Sequence, residues 1–177
     1  ISYRLRELLH SGKRKLPLIS AGCPSILNLI QIRFPNLMEH VVDYRPPVEV
    51  VASMARREAE RRHPDKKVGI FFIAPCTAKI SFIKESDEVV DSDIDKMIAI
   101  SDIYKQVLRN LEELKDEEIE DLEKAGMTGL RWPSPGGESL SLQTDDFVAV
   151  DGIDKVIDIF EKIQDEKLDG LAFVETE

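Results

Sequence analysis

An α/β fold, with a mostly parallel sheet or two small ones flanked by helices, is what this chain predicts, and three observations carry the prediction. Short runs rich in β-branched and aromatic residues, such as residues 68–73 and 147–150, read as strands. These runs hold no charge, as strands covered on both faces of a parallel sheet should. Longer amphipathic stretches separate them, so strand and helix alternate along the chain. At 177 residues, the chain is long enough for one sizeable domain that buries roughly 70% of its unfolded surface.

The first helix is predicted over residues 2–10, ending at Ser11-Gly12, where Gly can take the left-handed conformation that closes helices. A strand follows at 17–21. After Cys23, Pro24 suits the first helical position, and Ile26, Leu27, Leu29, Ile30 and Phe34 form an apolar helix that Pro35 stops. Residues 36–42 add a short helical turn. Pro46-Pro47 opens a helix over 47–63, with Val50, Val51, Met54 and Ala55 on one face. The strand at 68–73 comes next, then a shorter one at 97–100. Ser101-Asp102 caps an amphipathic helix over 103–114. An acidic helix over 117–124 stops at Ala125-Gly126. Gly129, Pro133, Pro135, Gly136 and Gly137 make 127–137 an irregular loop. Helix resumes at 139–143, followed by a strand at 147–150, a helix at 153–163 and a last strand at 171–174.

Composition narrows the function classes. Apolar content of 42% and charged content of 33% are those of a soluble globular chain. A net charge of -10 argues against nucleic acid, whose phosphates call for clustered Lys and Arg, and Lys13-Arg14-Lys15 is too short a cluster to alter that. The acidity is concentrated in 112–123 and 165–177, both read as solvated faces. No apolar run approaches the ~20 residues that span a bilayer, and no signal peptide opens the chain. Two cysteines in such a chain point to a reducing, cytoplasmic compartment. The chain opens inside an amphipathic pattern without Met and stops at a strand, so it reads as a piece of something longer.

Thiolate chemistry, if present, belongs to Cys23 and Cys76, and both stand at the carboxyl end of a strand run, where open α/β sheets place ligands. Cys23, between Gly22 and Pro24, falls at a helix N-terminus, where free N–H groups and the helix dipole stabilise a thiolate. Cys76 follows Pro75, and Lys79 lies three residues on. A free Cys is commonly an inert buried residue, but two at matching strand ends are a stronger signal of ligation. His10, His40 and His63 lie near helix ends beside charged residues and read as surface or capping groups. Trp132 reads as packing under its own loop, with shielding of a cofactor as the other reading. Arg131 and Glu138 flank that loop as proton-carrying candidates, and Ser134, Gly136 and Gly137 let backbone approach a cofactor.

Residues 19–25, Ile-Ser-Ala-Gly-Cys-Pro-Ser, resemble the first active-site motif of the iron-only (di-iron) hydrogenases, a Thr-Ser-Cys-Cys-Pro-type segment whose later Cys binds the four-iron half of the catalytic cluster. Residues 31–37 are similar to the helix and turn that come next in that family. Ala74-Pro75-Cys76-Thr77-Ala78-Lys79 resembles the second motif, Met-Pro-Cys-x-x-Lys-Lys, and residues 132–139 resemble its Thr-Gly-Gly-Val-Met-Glu segment. The resemblance covers about residues 15–177. It implies Cys23 and Cys76 as metal ligands, Gly22, Pro75, Gly136 and Gly137 as cofactor-lining residues, and Lys79 as a catalytic residue that hydrogen-bonds a cyanide of the di-iron subsite. Residues 1–177 would then be a fragment of a two-lobed hydrogenase-like catalytic domain, with no complete second domain. The implied cofactors are a 4Fe-4S cluster and a di-iron subsite in the full-length parent, absent from the fragment. The implied partners are a ferredoxin-type electron-transfer domain or protein and, in the parent, a signalling module, with no nucleic acid and no membrane span.

Departures from the pattern shape the expectation. Gly22 replaces the proton-transferring Cys of the active enzymes, Ile80 the second Lys, and Ala74 the Met; neither Ser81 nor Phe82 supplies the acid that follows. These changes resemble the divergent, sensory hydrogenases. Residues 174–177 are similar to the strand that leads into the family's Cys-x-x-x-Cys segment. A cubane needs four thiolates and the chain has two, so it is expected to be inactive as a hydrogenase by itself. An iron–sulfur scaffold or maturation protein related to hydrogenases is the alternative, and an α/β domain with two ordinary core cysteines the third reading.

Overall fold

The computed structural model describes residues 1–86, 92–114 and 126–176, which divide into two units, Ile1–Tyr44 with Ala125–Glu177 and Arg45–Lys124. In the first unit, α1 (Ser2–His10), β1 (Leu18–Ile19), α2 (Pro24–Arg33) and a 3-10 turn (Pro35–Glu39) come first. The second unit supplies α3 (Pro47–Arg62), β2 (Phe71–Ala74), α4 (Thr77–Ser86), β3 (Lys96–Ala99) and α5 (Ile100–Glu113). The chain then completes the first unit with α6 (Met127–Arg131), α7 (Gly137–Ser141), β4 (Phe147–Val150), α8 (Ile153–Gln164) and β5 (Phe173–Thr176).

Strand β5 is the centre of the first unit's sheet, parallel to β1 on one side and to β4 on the other. Leu18 lies opposite Phe173, Ile19 opposite Val174, and Val150 opposite Thr176. Successive side chains point to opposite faces of a strand, so this register sorts the core into two layers. Ile19, Val174, Val148 and Val150 pack with Ile26 and Ile30 of α2 and with Val156 and Phe160 of α8. On the other face, Leu18, Phe173 and Phe147 pack with Leu5 of α1, Val42 and Leu142. Phe34 and Phe160 meet edge to face at 5.5 Å, the arrangement that ring quadrupoles favour.

In the second unit β2 and β3 pair in parallel, with Phe72 opposite Met97. Val48 and Ala52 of α3 cover one side together with Ile70, Phe72, Ile94 and Met97. Arg56 ties the helix to the strand edge, donating to the Asp93 carbonyl at 2.9 Å and to the Asp95 carboxylate at 2.7 Å. The Ile70 N–H, and then Arg56, hold the Asp95 carboxyl below its usual range.

The alternation of strands and helices, and the parallel pairing, are those the sequence predicts. Four expectations are corrected. The run at 68–73 is not covered on both faces: Phe71 is 57% and Ile73 46% exposed. Residues 127–137 are not wholly irregular, since they include α6. His40 does stand at the end of a helical turn but is buried, with Nδ1 2.9 Å from the Pro17 carbonyl oxygen. The acidic tail is not all solvated, because Glu175 is 3% exposed. The helix expected over 117–124 lies outside the described residues. Amphipathic α5 has none of its residues buried; Ile100, Tyr104, Val107, Leu108 and Leu111 all stand exposed on one side. No helix among the described residues is long and apolar enough to cross a membrane.

Candidate functional site

Each cysteine lies in the connection from a strand to a helix and immediately precedes the helix. Cys23 has extended backbone angles (φ -113°, ψ 114°) and immediately precedes α2, with Pro24 at the first helical position. Its carbonyl accepts the Leu27 N–H at 3.1 Å, the first bond of the helix. Cys76 holds the matching place before α4, its carbonyl accepting the Ile80 N–H at 3.3 Å. The order strand, cysteine, helix therefore occurs once in each unit. Both thiols are half-buried and free, each at the end of a helix of ten residues where aligned peptide dipoles favour negative charge.

The expected site residues divide between the units. Gly22, Cys23, Gly136 and Gly137 belong to the first; Pro75, Cys76 and Lys79 belong to the second. Pro75 is exposed, and Lys79 is half-buried one turn into α4, with no hydrogen bond or ion pair among the described residues. The described residues include no cluster of three or more His, Cys, Asp and Glu side chains arranged to hold a metal. Two thiols suit soft iron–sulfur ligation and make half of the four-thiolate set a cubane takes.

In the first unit, Gly22 and Gly136 are hydrogen-bonded to neighbouring parts of a buried polar network. The Ser20 hydroxyl accepts the Gly22 N–H at 3.2 Å and donates to Glu138 Oε2 at 2.6 Å. Tyr44 donates to the other oxygen, Glu138 Oε1, at 2.8 Å. Glu138 is 5% exposed, and its neighbour in the network, Glu175, is buried as well. The Glu175 carboxylate accepts the N–H groups of Gly136 (3.1 Å), Glu138 (3.4 Å) and Ser139 (2.8 Å), and the Ser139 hydroxyl (2.6 Å). Four donors on one carboxylate pin the turn before α7 to β5.

The glycine pair has a steric reason of its own. Gly136 sits at φ +83°, in the left-handed region, and a Cβ on Gly137 would overlap the Arg131 carbonyl oxygen. By contrast, a Cβ on Gly22 would meet only Ser20 Oγ, at 3.4 Å, so packing does not demand glycine there. Ser20, Tyr44, Ser139 and Glu175 were not among the site residues expected from sequence. The signal for them is faint, an acid at the end of an apolar strand run, Glu175.

Burial, with the Glu138 carboxylate beside it, pushes the Tyr44 phenol well above its ordinary range. Because the folded-state value is raised, its contribution to stability is complete below the unfolded phenol's value, about 10, and is lost as pH rises beyond it. Tyr44→Phe is therefore expected to flatten the alkaline limb of stability against pH, followed by denaturant unfolding between neutral and strongly alkaline pH. An unchanged limb would show that another group governs it. Tyr44 also lines a cleft of about 730 Å³ with Arg4, Leu8 and Asp43. Tyr44, Glu138 and Ser20 thus form a hydrogen-bonded series from that cleft to the backbone N–H one residue before Cys23, with Glu138 accepting from both hydroxyls.

Comparison with known proteins bears on the family and the fold. Residues 2–144 match the family described as iron only hydrogenase large subunit, C-terminal domain. No curated protein sequence matches the chain. Among solved structures, a variant of FeFe-hydrogenase HydA1 from Chlamydomonas reinhardtii superposes with a TM-score of 0.63 at 19% identity, over 99% of this chain and 62% of that one. An apo form of a second variant of the same enzyme gives 0.63 and 19%, over 99% and 61%. HydA(deltaEFG), described in connection with stepwise H-cluster assembly, gives 0.62 and 18%, over 99% and 61%. The chain thus spans about six tenths of the length of the hydrogenase structures it matches, and at these identities the likeness establishes the fold. With the family match covering most of its length, the chain belongs to the family formed by the C-terminal domain of iron-only hydrogenase large subunits.

Proposed function

We propose that residues 1–177 form part of a hydrogenase-type catalytic domain, in which Cys23 and Cys76 are two of the four thiolates that hold a 4Fe-4S cluster beside a di-iron subsite. The observation that carries this reading is the repeated junction, a free half-buried thiol at the start of a helix in the connection that follows a parallel strand, once in each unit. When bound, such a cofactor supplies the interconversion of protons, electrons and hydrogen, and the protein positions it, excludes water and manages protons. Gly22, Pro75, Gly136 and Gly137 line the cofactor, and Lys79, which has no internal partner among the described residues, donates to a cyanide of the subsite. Gly22 offers no thiol for proton transfer; Glu138, reached from the cleft through Tyr44 and tied to Gly22 through Ser20, holds the proton instead.

The departures at Gly22, Ala74 and Ile80 favour hydrogen sensing over rapid turnover. Electrons come from a ferredoxin-type domain or protein, the parent carries a signalling module, and the compartment is the reducing cytoplasm. With two of the four thiolates, this chain by itself completes no cluster and evolves no hydrogen.

The natural protein carrying this domain, after cluster maturation, is expected to give the electron paramagnetic resonance signal of a reduced four-iron cluster and infrared bands from carbonyl and cyanide ligands. Cys23→Ser and Cys76→Ser should each abolish the four-iron signal. Retention of full iron content and signal in both variants would defeat the assignment, and so would hydrogen evolution by the 177-residue chain alone.

A further inference from the structure

Thr176 is the last residue of β5 and is 2% exposed, yet its Oγ1 is buried with no hydrogen-bond partner among the described residues. A buried hydroxyl left unpaired is destabilising, and such groups in native proteins usually answer to something. The strand's own alternation gives the direction it faces. Phe173 packs on the side of Leu5, Tyr44 and Leu142, and Glu175 follows it to that side, where it meets the turn before α7. Val174 packs on the opposite side, under α2 and α8, and Thr176 follows Val174.

Cys23 packs against that same layer. The register brings the two neighbourhoods together: Ile19 lies opposite Val174, and the Ser20 N–H donates to the Val174 carbonyl at 2.9 Å, so β1 runs beside β5 toward its carboxyl edge, three residues short of Cys23. On its other flank Thr176 lies opposite Val150, which offers only methyl groups. Among the hydrophobic residues that pack in this layer, Cys23 carries the one sulfur, a weak acceptor.

We propose that Thr176 Oγ1 donates a hydrogen bond to a sulfur of the iron–sulfur cluster ligated by Cys23 and so sets its reduction potential. This rests on the cluster-binding reading above. A donor at a cluster sulfur stabilises the more negative, reduced form and raises the potential. Thr176 is a tuning residue, kept at a cost to the metal-free chain.

The experiment compares Thr176→Val, which removes the hydroxyl at nearly constant volume, with Thr176→Ser, which keeps it. In the cluster-loaded natural protein, redox titration followed by electron paramagnetic resonance should find the reduction equilibrium of T176V shifted toward the oxidised form by roughly tenfold, about 59 mV for one electron. T176S should stay within roughly twofold of the unsubstituted protein. In the metal-free 177-residue chain, T176V should melt higher, because it deletes an unpaired buried hydroxyl. A four-iron signal of normal intensity in T176V with less than a roughly twofold shift would overturn the proposal alone, as would a lower melting temperature in the metal-free chain. Absence of any iron–sulfur signal from the unsubstituted protein would overturn the cluster reading and this inference with it.

Discussion

Replacing Glu175 by Ala is expected to destabilise the first unit by about 3–5 kcal/mol, among the largest effects of any single substitution in the chain. The reason lies in what the carboxylate leaves behind. Three backbone N–H groups and one hydroxyl converge on it, from Gly136, Glu138 and Ser139, and the side chain is 3% exposed. Water has little access to replace it, so the donors are stranded rather than rehydrated. Glu175→Gln separates charge from shape. The amide keeps one acceptor oxygen, whereas the native carboxylate serves two donors on each of its oxygens, so about half of the donors lose their acceptor and the loss should be about 2–3 kcal/mol. The two variants are ranked by urea unfolding monitored at Trp132. If E175A lies within about 1 kcal/mol of the unsubstituted chain, the four-donor cradle does not hold the turn.

The network's effect reaches beyond its own stability. Glu175 holds the backbone of Glu138, while the side chain of Glu138 receives Ser20 and Tyr44. Loosening the turn therefore loosens the acceptor of the Ser20 hydroxyl, which itself receives the Gly22 N–H beside the first cysteine. Ser20 is also held to β5 by its own N–H on the Val174 carbonyl, at 2.9 Å, so the side-chain route from Glu175 carries only part of the restraint, and E175A should raise the reactivity of the Cys23 thiol toward an alkylating reagent modestly.

How much of this was legible beforehand depended on how local the cause was. Pro24 at a helix start, Pro35 at its stop and Gly12 after α1 act through their own backbone, and the boundaries they signal lie within a residue or two of those observed. The junctions at Cys23 and Cys76 were legible for the same reason, since a strand, a turn and a helix start are local events. The buried state of Glu175 was not. Its donors come from residues 136–139, and nothing in the strand itself says that three N–H groups will arrive there. His40 failed in the same way, because the Pro17 carbonyl that receives it belongs to another segment. The run ending in Phe71-Phe72-Ile73 has the composition of a strand covered twice, but composition does not reveal what covers it; Phe72 faces α3, while Phe71 and Ile73 have no such cover among the described residues. The α5 pattern carries the same ambiguity, an apolar stripe that specifies a helix but not its partner.

Gly137→Ala is the second substitution with a large expected cost, about 3 kcal/mol, and it comes from backbone rather than from lost bonds. The added methyl would overlap the Arg131 carbonyl oxygen and lie 2.8 Å from both the Arg131 carbonyl carbon and the Trp132 carbonyl oxygen. All three are main-chain atoms at the end of α6, so no rotamer change relieves the clash. Movement of that helix end would break the turn that closes there, where the Ser134 N–H reaches Arg131 at 3.0 Å and the Gly137 N–H reaches Ser134 at 2.7 Å. Gly136→Ala provides the control one residue away. It has the left-handed φ of +83° but ordinary space, with Ala149 Cβ at 3.8 Å, so its penalty is conformational, about 1–2 kcal/mol. A function of these glycines limited to letting a cofactor approach would leave both variants near native stability in the metal-free chain. Packing of the loop on α6 instead orders them, with Gly137→Ala the more damaging in thermal and urea unfolding; the reverse order would mean that the strained φ, and not the close approach, is what selects glycine here.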